Sequence, residues 1–203
     1  FGCLVGSEMC IRDRQLIKVD SAGICGSDMH AYLGHDERRP APLILGHEAS
    51  GIILGGNRNG KRVAINPLVT CMRCQACISG RENICQKRQI ISMAPREGTF
   101  AEMVSVPEVN LVNVPLDVPL EKAALTEPLA VSWHASRLAL EALHSSMDRN
   151  VLIIGGGAIG LASALAFKAM EIENIVIVEP NIIRRKYLND NCNVVAVEKA
   201  DEL

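Results

Sequence analysis

Four cysteines lie in one short run of the chain, Cys71-Met72-Arg73-Cys74-Gln75-Ala76-Cys77-Ile78-Ser79-Gly80-Arg81-Glu82-Asn83-Ile84-Cys85. Their spacing is C-x2-C-x2-C-x7-C. Four thiolates this close can converge on one tetrahedral zinc with no open position, which is typical of a structural metal site. A disulfide framework is the alternative, but cysteines at x2 intervals bridge one another with difficulty, and nothing else suggests a secreted disulfide-rich protein. The run therefore predicts a structural zinc lobe.

The composition sets limits on the class of protein. With 203 residues the chain is long enough for one large domain or two small ones. A hydrophobic content of 48% and a mean hydropathy of +0.17 predict a folded core and exclude extensive disorder. The net charge of -2 argues against a nucleic-acid partner. No apolar run reaches the roughly 18 residues of a membrane span, so we expect a cytoplasmic protein without a membrane partner.

Residues 15–148 are predicted to form one β-rich domain. Short strands are expected at Leu16–Val19, Gly51–Leu54, Arg62–Ile65 and Phe100–Val106, separated by glycine and proline. Short strands with frequent turn residues are typical of a compact β-barrel-like fold. The composition then becomes helical from Glu121 to Leu143.

Residues 149–203 show a different pattern. Apolar runs suited to strands buried on both faces alternate with helical segments. In order they are strand Val151–Ile154, helix Leu161–Met170, strand Ile175–Glu179, helix Asn181–Asn189 and strand Asn193–Val197. This β-α-β-α-β order predicts a parallel sheet.

A glycine motif follows the first of these strands, Gly155-x-Gly157-x-x-Gly160. The strand before it and the helix after it are the context of a dinucleotide site. The first glycine permits a tight turn, the second lets a pyrophosphate approach the helix start at Ala158 and Ile159, and the third allows close packing of helix on strand. We therefore expect these five residues to bind a dinucleotide. The alternative is a glycine-rich turn without a ligand.

An acidic residue ends the next strand, 19 residues after Gly160. This residue, Glu179, can accept hydrogen bonds from both ribose hydroxyls of the adenosine and would repel a 2′-phosphate. NAD is therefore predicted rather than NADP. Arg184 and Arg185 weaken this preference, because nearby arginines can bind a phosphate.

A second metal site is predicted earlier in the chain. Cys25 and His47 offer one thiolate and one imidazole, and Glu48 or Glu127 can supply a carboxylate. Three protein ligands leave the fourth position of zinc to water or substrate, as a catalytic zinc requires.

These motifs together, in this chain order, resemble the zinc-dependent medium-chain dehydrogenases. The resemblance spans about Ile17 to Val197 and is strongest to the sorbitol, idonate and threonine dehydrogenase branch, where Thr126-Glu127-Pro128-Leu129 replaces a cysteine ligand. It implies a GroES-like β-barrel catalytic domain followed by a partial Rossmann domain, with two zinc ions per subunit. A homodimer or homotetramer is also implied.

The resemblance assigns roles to individual residues. Cys25 and His47 match zinc ligands. Glu48 matches an acid that ligates zinc in some members and lies behind the ligands in others. Glu127 matches an acid that binds zinc or substrate. Asp28 matches the acid that orients the zinc-bound histidine, although it could instead cap a helix beginning at Met29. In the family a basic residue near the position of Arg184 contacts the ribose of NAD, so Arg184 need not indicate NADP.

Ser27 and His30 match the hydroxyl and imidazole of a proton relay, and a surface histidine is the alternative for His30. Asp36, Arg38 and Arg39 lie where relatives carry a substrate-side loop. Their charges could favour a polar or anionic substrate, but we expect a solvated loop.

The implied reaction is hydride transfer from a secondary alcohol, polyol or sugar acid to NAD. A threonine-type amino-acid dehydrogenase is a second possibility, because threonine dehydrogenases share the branch. A non-catalytic zinc-binding module is a third, from another functional class.

Residues 1–14 are expected to be a non-native translated linker. The run Glu8–Asp13 resembles the translated end of a sequencing-library transposon, so Cys3 and Cys10 are given no functional role. The chain is expected to be a fragment at both ends.

Overall fold

The computed structural model describes residues 13–144 and 146–202. The chain divides into two compact units, with the division between Glu127 and Pro128. The sequence placed this boundary at residues 148 and 149. The division between the compact units lies before that predicted domain boundary, which stays a prediction; Leu140, on the helix before residue 148, packs against the core of the second unit. Residues 1–12 of the expected linker lie outside the described residues. Arg14, the last residue of that expected linker, already begins a strand.

The first unit is built on a five-stranded antiparallel sheet with the order β6-β1-β2-β3-β7. In chain order, its strands are β1 (Arg14–Gly23), β2 (Glu48–Leu54), β3 (Arg62–Ile65), β4 (Leu68–Val69), β5 (Gln89–Ile90), β6 (Met103–Pro107) and β7 (Leu111–Asn113). Its helices are α1 (Gly26–Tyr32), α2 (Gln75–Ile78) and α3 (Leu120–Ala123). Strands β4 and β5 form a separate two-stranded sheet.

One face of the large sheet carries the core of this unit. Ile17 and Ile53 are opposite one another across β1 and β2, and both are fully buried. Val63 and Val106 extend the same cluster onto β3 and β6. The apolar alternation in the sequence thus buries one side of each strand, as expected for a half-buried antiparallel sheet.

The pairing of β1 with β2 brings distant parts of the chain together. Gly23 at the end of β1 lies opposite Glu48 at the start of β2. Cys25 is two residues beyond β1, and His47 immediately precedes β2. The register of these two strands therefore places the predicted catalytic ligands next to one another.

The second unit contains a three-stranded parallel sheet with the order β10-β9-β8. Its elements are α4 (Thr126–Ala142, which starts at the end of the first unit), β8 (Val151–Ile154), α5 (Ala158–Ala169), β9 (Ile175–Val178), α6 (Ile182–Asn191) and β10 (Val195–Val197). Ile177 on β9 and Leu188 on α6 are fully buried in its core. The predicted β-α-β-α-β pattern is confirmed in this unit. Within the residues described, no helix is both long and apolar enough to cross a membrane.

Candidate metal centres and dinucleotide site

The four cysteines of the quoted run come together in a lobe, which we define as residues 68–90 between β4 and β5. Three Sγ–Sγ distances are 3.9 Å for Cys71–Cys77, 3.5 Å for Cys74–Cys77 and 3.6 Å for Cys85–Cys71. Ligands at about 2.3 Å around a tetrahedral zinc lie about 3.8 Å from one another. The four thiols are unbridged, so the lobe has the donor geometry of a closed zinc site rather than of disulfides.

The thiols of the lobe differ in acidity. Backbone N–H groups of Arg73 and Cys74 lower the pKa of the Cys71 thiol to about 6. Burial, together with the neighbouring cysteines, raises the pKa of the Cys77 thiol to about 11. A cation between the four sulfurs would favour the thiolate form of each one, so metal binding and deprotonation are coupled here.

A second, smaller group of donors contains Cys25, His47 and Glu48, which we call the three-donor cluster. Their ligand atoms all lie within 4.8 Å of one another, and His47 and Glu48 are buried. Gly23 makes room for Glu48, because a Cβ at Gly23 would lie 2.5 Å from the Glu48 Oε2 atom. One thiolate, one imidazole and one carboxylate are a donor set that suits zinc with an open fourth position.

Asp28 is buried behind this cluster and connects two of its members. Its Oδ2 accepts a hydrogen bond of 3.0 Å from the backbone N–H of Cys25. Its Oδ1 lies 3.3 Å from Nδ1 of His47, a contact that lacks full hydrogen-bond geometry. With Nδ1 facing Asp28, Nε2 is the nitrogen left for a metal. Helix α1 begins at Gly26 and not at Met29, so Asp28 lies in its first turn, where it accepts the bond from the Cys25 N–H, and not at its N-cap.

The loop with Asp36, Arg38 and Arg39 is only partly solvated. The Arg38 side chain is 72% exposed and bonds to Asp36. The Arg39 side chain is only 3% exposed and pairs with Asp28 at 3.4 Å. The expectation of a solvated loop is therefore wrong for Arg39, because the chain folds this residue inward against a buried carboxylate.

Glu127 lies apart from the three-donor cluster in the part of the chain that the structure describes. It is half-buried. Burial raises the pKa of its carboxyl group, the charge of His47 opposes this shift, and Glu48 and Asp28 reinforce it. Glu127 is thus within electrostatic reach of the cluster, and Glu48 is the carboxylate that stands among the donors.

The two predicted relay residues are not joined by a hydrogen bond within the described ranges. Ser27 Oγ accepts a hydrogen bond of 3.1 Å from Nη1 of Arg39. His30 is exposed, and its ring centroid lies 6.5 Å from that of His35.

A tight backbone crossing positions His47. The N–H of Gly98 donates to Ile44 O at 2.7 Å, and the N–H of Phe100 donates to Leu45 O at 2.9 Å. An ideal Cβ at Gly98 would lie 2.2 Å from Leu45 O. No feature of the sequence alone marks Gly98, since its partner is some 50 residues away.

We expect Gly98→Ala to lower the free energy of unfolding by about 2 kcal/mol or more, because neither backbone can move without losing these hydrogen bonds. That corresponds to a fall of about 4–8 °C in melting temperature, which circular dichroism would measure. Gly26→Ala is the matched control, since its Cβ would meet nothing within 4 Å. Equal melting temperatures for both variants would contradict the steric argument.

The glycine motif lies in the turn between β8 and α5, as the sequence predicted. Gly155 has φ = +99°, in the left-handed region that a tight turn requires. A Cβ at Gly157 would meet nothing within 4 Å, whereas a Cβ at Gly160 would lie 1.9 Å from Gly155 O. Helix α5 begins at Ala158, and the N–H groups of its first turn, including those of Ala158 and Ile159, are free of intrahelical partners. The site is open in front of the helix and tightly packed behind it.

Gly156 was not singled out from the sequence, yet it is closely packed. A Cβ there would lie 2.6 Å from Cδ1 of Leu188 and 2.9 Å from Cβ of Glu179. Its N–H donates to Glu179 Oε2 at 2.8 Å. The reason for a glycine at this position is the packing of α6, the helix that follows the next strand.

Glu179 is buried and held by backbone groups. Its Oε1 accepts from the N–H of Asn181 at 2.8 Å. This bond, together with that from Gly156 and the charge of the arginines, lowers the pKa of the Glu179 carboxyl group. Arg184 is exposed, with Nη1 3.9 Å from Glu179 Oε2. Arg185 instead donates to the backbone O of Glu179 at 2.7 Å.

Known proteins similar to this chain agree on one family. A model of the alcohol dehydrogenase GroES-like domain matches residues 12–116, more than half of the chain. L-galactonate-5-dehydrogenase of Escherichia coli (strain K12) is 39% identical over 180 residues, covering 85% of this chain and 51% of that protein. Sorbitol dehydrogenase of Arabidopsis thaliana is 36% identical over 173 residues, covering 80% and 46%. The chain therefore spans about half the length of these curated relatives.

Solved structures share the fold. An alcohol dehydrogenase of Escherichia coli CFT073 in complex with NADH has a TM-score of 0.79 and 29% identity, covering 93% of this chain and 56% of that one. A Sinorhizobium meliloti protein described as a zinc-binding dehydrogenase, bound to NADP, has a TM-score of 0.74 and 30% identity, covering 91% and 53%. Both nicotinamide cofactors thus occur among proteins of this fold.

Proposed function

Because the chain belongs to the family of alcohol dehydrogenases with a GroES-like domain, as its resemblance to zinc-dependent medium-chain dehydrogenases predicted, we propose that its protein is a zinc-dependent oxidoreductase. It transfers a hydride from a secondary alcohol, polyol or sugar acid to NAD. The single observation that carries this proposal is the three-donor cluster with Asp28 behind it.

In this proposal Cys25, His47 and Glu48 hold the catalytic zinc, and Glu127 stands near it as a further acid. Zinc at that position would supply Lewis-acid activation of the substrate hydroxyl. Asp28 holds the His47 ring in the orientation that leaves Nε2 for the metal. The lobe cysteines Cys71, Cys74, Cys77 and Cys85 hold the second, structural zinc.

Ser27 and His30 carry the proton in this proposal. The Ser27 hydroxyl can accept the proton of the substrate hydroxyl while its own proton leaves toward His30 and solvent. The exposure of His30 supports its place at the solvent end. Loss of this proton and of a carbinol hydride converts the alcohol into a ketone.

We propose NAD as the hydride acceptor, bound at the second unit. The first turn of α5 offers N–H groups to the pyrophosphate, and Gly157 leaves space for its approach. Glu179 is ionised and buried next to this turn, which favours ribose hydroxyls over a 2′-phosphate. In this proposal Arg184, which is exposed beside Glu179, binds the ribose of NAD, whereas Arg185 already donates to the backbone carbonyls of Glu179 and Pro180.

The test uses the protein encoded by the complete reading frame that contains this chain, loaded with zinc. We expect NADH absorbance to rise with polyols or sugar acids, and kcat/KM to be at least about tenfold higher with NAD than with NADP. Threonine is included in the substrate panel. Zinc-loaded protein that reduces neither cofactor with any alcohol would refute the oxidoreductase proposal.

The relatives do not favour the alternatives of a threonine-type dehydrogenase or a non-catalytic zinc module. The two curated relatives above bear the names of a sugar-acid and a polyol dehydrogenase. A small-molecule alcohol is therefore the proposed partner, and a homodimer or homotetramer the proposed assembly. Both proposed zinc sites need reduced cysteine thiolates, which supports a cytoplasmic location.

A further inference from the structure

Arg39 is a buried arginine that none of the roles above includes. Its side chain is 3% exposed, and its guanidinium keeps its charge at any physiological pH. Burying such a group is costly unless it is paired and hydrogen-bonded. The reason for its burial must therefore lie in the groups that it contacts.

One nitrogen of Arg39 contacts two residues of the proposed active site. Nη1 donates to Ser27 Oγ at 3.1 Å and to Asp28 Oδ1 at 3.4 Å. Its Nε lies 3.8 Å from Asp36 Oδ2 and makes no hydrogen bond within the described residues. The guanidinium thus bridges the relay hydroxyl and the carboxylate behind His47.

Asp28 connects the Arg39 guanidinium to two proposed zinc ligands. Its Oδ1 receives Arg39 and the N–H of Gly46 at 3.3 Å and faces Nδ1 of His47 at 3.3 Å. Its Oδ2 receives the N–H of Cys25. A rotation of the Asp28 carboxylate would disturb the positions of two proposed zinc ligands, Cys25 and His47. Arg39 is the arginine paired with Asp28 among the described side chains.

The contact with Ser27 has a separate consequence. A serine hydroxyl has one proton and two lone pairs. The hydrogen bond from Arg39 occupies one lone pair, which leaves the other to accept from a substrate hydroxyl and the O–H to donate onward. A charge-assisted donor also strengthens the hydroxyl as a donor in turn.

We propose that Arg39 is a positioning residue, which holds Asp28 for metal binding and Ser27 for proton transfer through one guanidinium. The inference rests on the proposed function, although its metal-binding part can be tested without turnover. The competing explanation is a purely structural arginine that only neutralises the acids of its loop.

The first experiment measures zinc retention in the 203-residue chain by competition with a chelator. Arg39→Met is expected to weaken retention at the three-donor cluster about tenfold, because groups behind metal ligands typically contribute 10–100-fold to affinity. Zinc in the cysteine lobe should be unaffected. Arg38→Met is the matched control, since Arg38 bonds to Asp36 but not to Asp28 or Ser27. Equal retention in both variants would overturn the inference.

The second experiment uses Arg39→Lys, which keeps the charge but lacks the planar fork. In the complete protein we expect near-normal zinc retention, a kcat reduced about tenfold and an unchanged KM for NAD. If Arg39→Met does not fold, the test of the inference rests on Arg39→Lys. In that case, wild-type zinc retention together with a wild-type kcat for Arg39→Lys would overturn the inference. A wild-type protein without turnover would refute the proposed function, while the zinc comparison of the first experiment would still test Arg39.

Discussion

Replacing Cys25 with serine is expected to remove turnover and one equivalent of zinc while leaving the zinc of the cysteine lobe in place. Cys25 supplies the thiolate of the three-donor cluster, and the neutral hydroxyl of serine is a far weaker ligand. If metal activation contributes about 4 kcal/mol to the transition state, its loss lowers the rate about 10³-fold.

Metal content per chain and initial rates of NAD reduction measure this effect. Cys192→Ser is the matched control, because Cys192 is a thiol of the second unit that lies in neither donor group of the described chain. It packs beside the core there, so both zinc ions should remain and the rate should change little. Two retained zinc ions and full activity in Cys25→Ser would show that Cys25 is not a ligand.

Cys77→Ser should have the second large effect, on stability rather than on chemistry. Cys77 is buried, and its Sγ lies 3.5 Å from that of Cys74 and 3.9 Å from that of Cys71. The lobe has only the short pairing of β4 with β5 and two short helical turns to hold it, so metal ligation is expected to supply much of its stability. Structural zinc sites in small domains contribute on the order of 10 kcal/mol.

We therefore expect Cys77→Ser to lose the lobe zinc and to make the chain from Leu68 to Ile90 sensitive to proteolysis, with a lower melting temperature. Limited proteolysis and metal analysis measure this, and Ser79→Ala serves as a control at an exposed residue of the same lobe. The cluster around Cys25 should keep its zinc. A variant with wild-type melting temperature and unchanged cleavage would exclude a structural role for the lobe metal.

The two variants also separate the two sites from each other. Cys25→Ser should leave the protein folded and inactive, whereas Cys77→Ser should reduce activity only as far as it unfolds the first unit. If instead Cys25→Ser unfolded the protein and Cys77→Ser left it folded but inactive, the assignment of the structural and the catalytic metal site would have to be exchanged. The sequence already predicts one structural and one catalytic metal site. Four nearby thiolates fill all four positions of a tetrahedral zinc, whereas three scattered donors leave the fourth position open.

Much of the fold and of the candidate site was predictable, because the signals are local. The strands at Arg62–Ile65 and Val151–Ile154 were placed at the residues where the structure has them. Gly155 and Gly160 act within one turn, where the backbone conformation of the first and the close packing of the second allow few other residues. The lobe cysteines lie within 15 residues of one another, so their meeting needs no distant partner.

Other features depended on contacts between residues far apart in the chain. Glu48, rather than Glu127, stands beside Cys25 because β1 pairs with β2 in a register that sets Gly23 opposite Glu48. Gly98 must be a glycine because another segment of the chain crosses it closely. Gly156 must be a glycine because α6 packs against it. None of these requirements is visible in the residues next to them.

Arg39 shows the difference most clearly. In the sequence it is one charge among several in a polar loop, and such a loop is expected in solvent. By itself the sequence determined the family and the glycine motif, and it predicted two groups of metal-binding donors in outline, because each depends on residue types in characteristic patterns. Only the tertiary structure decided that this arginine is buried against Asp28 and Ser27, because burial and ion pairing follow from which surfaces meet when the strands pair.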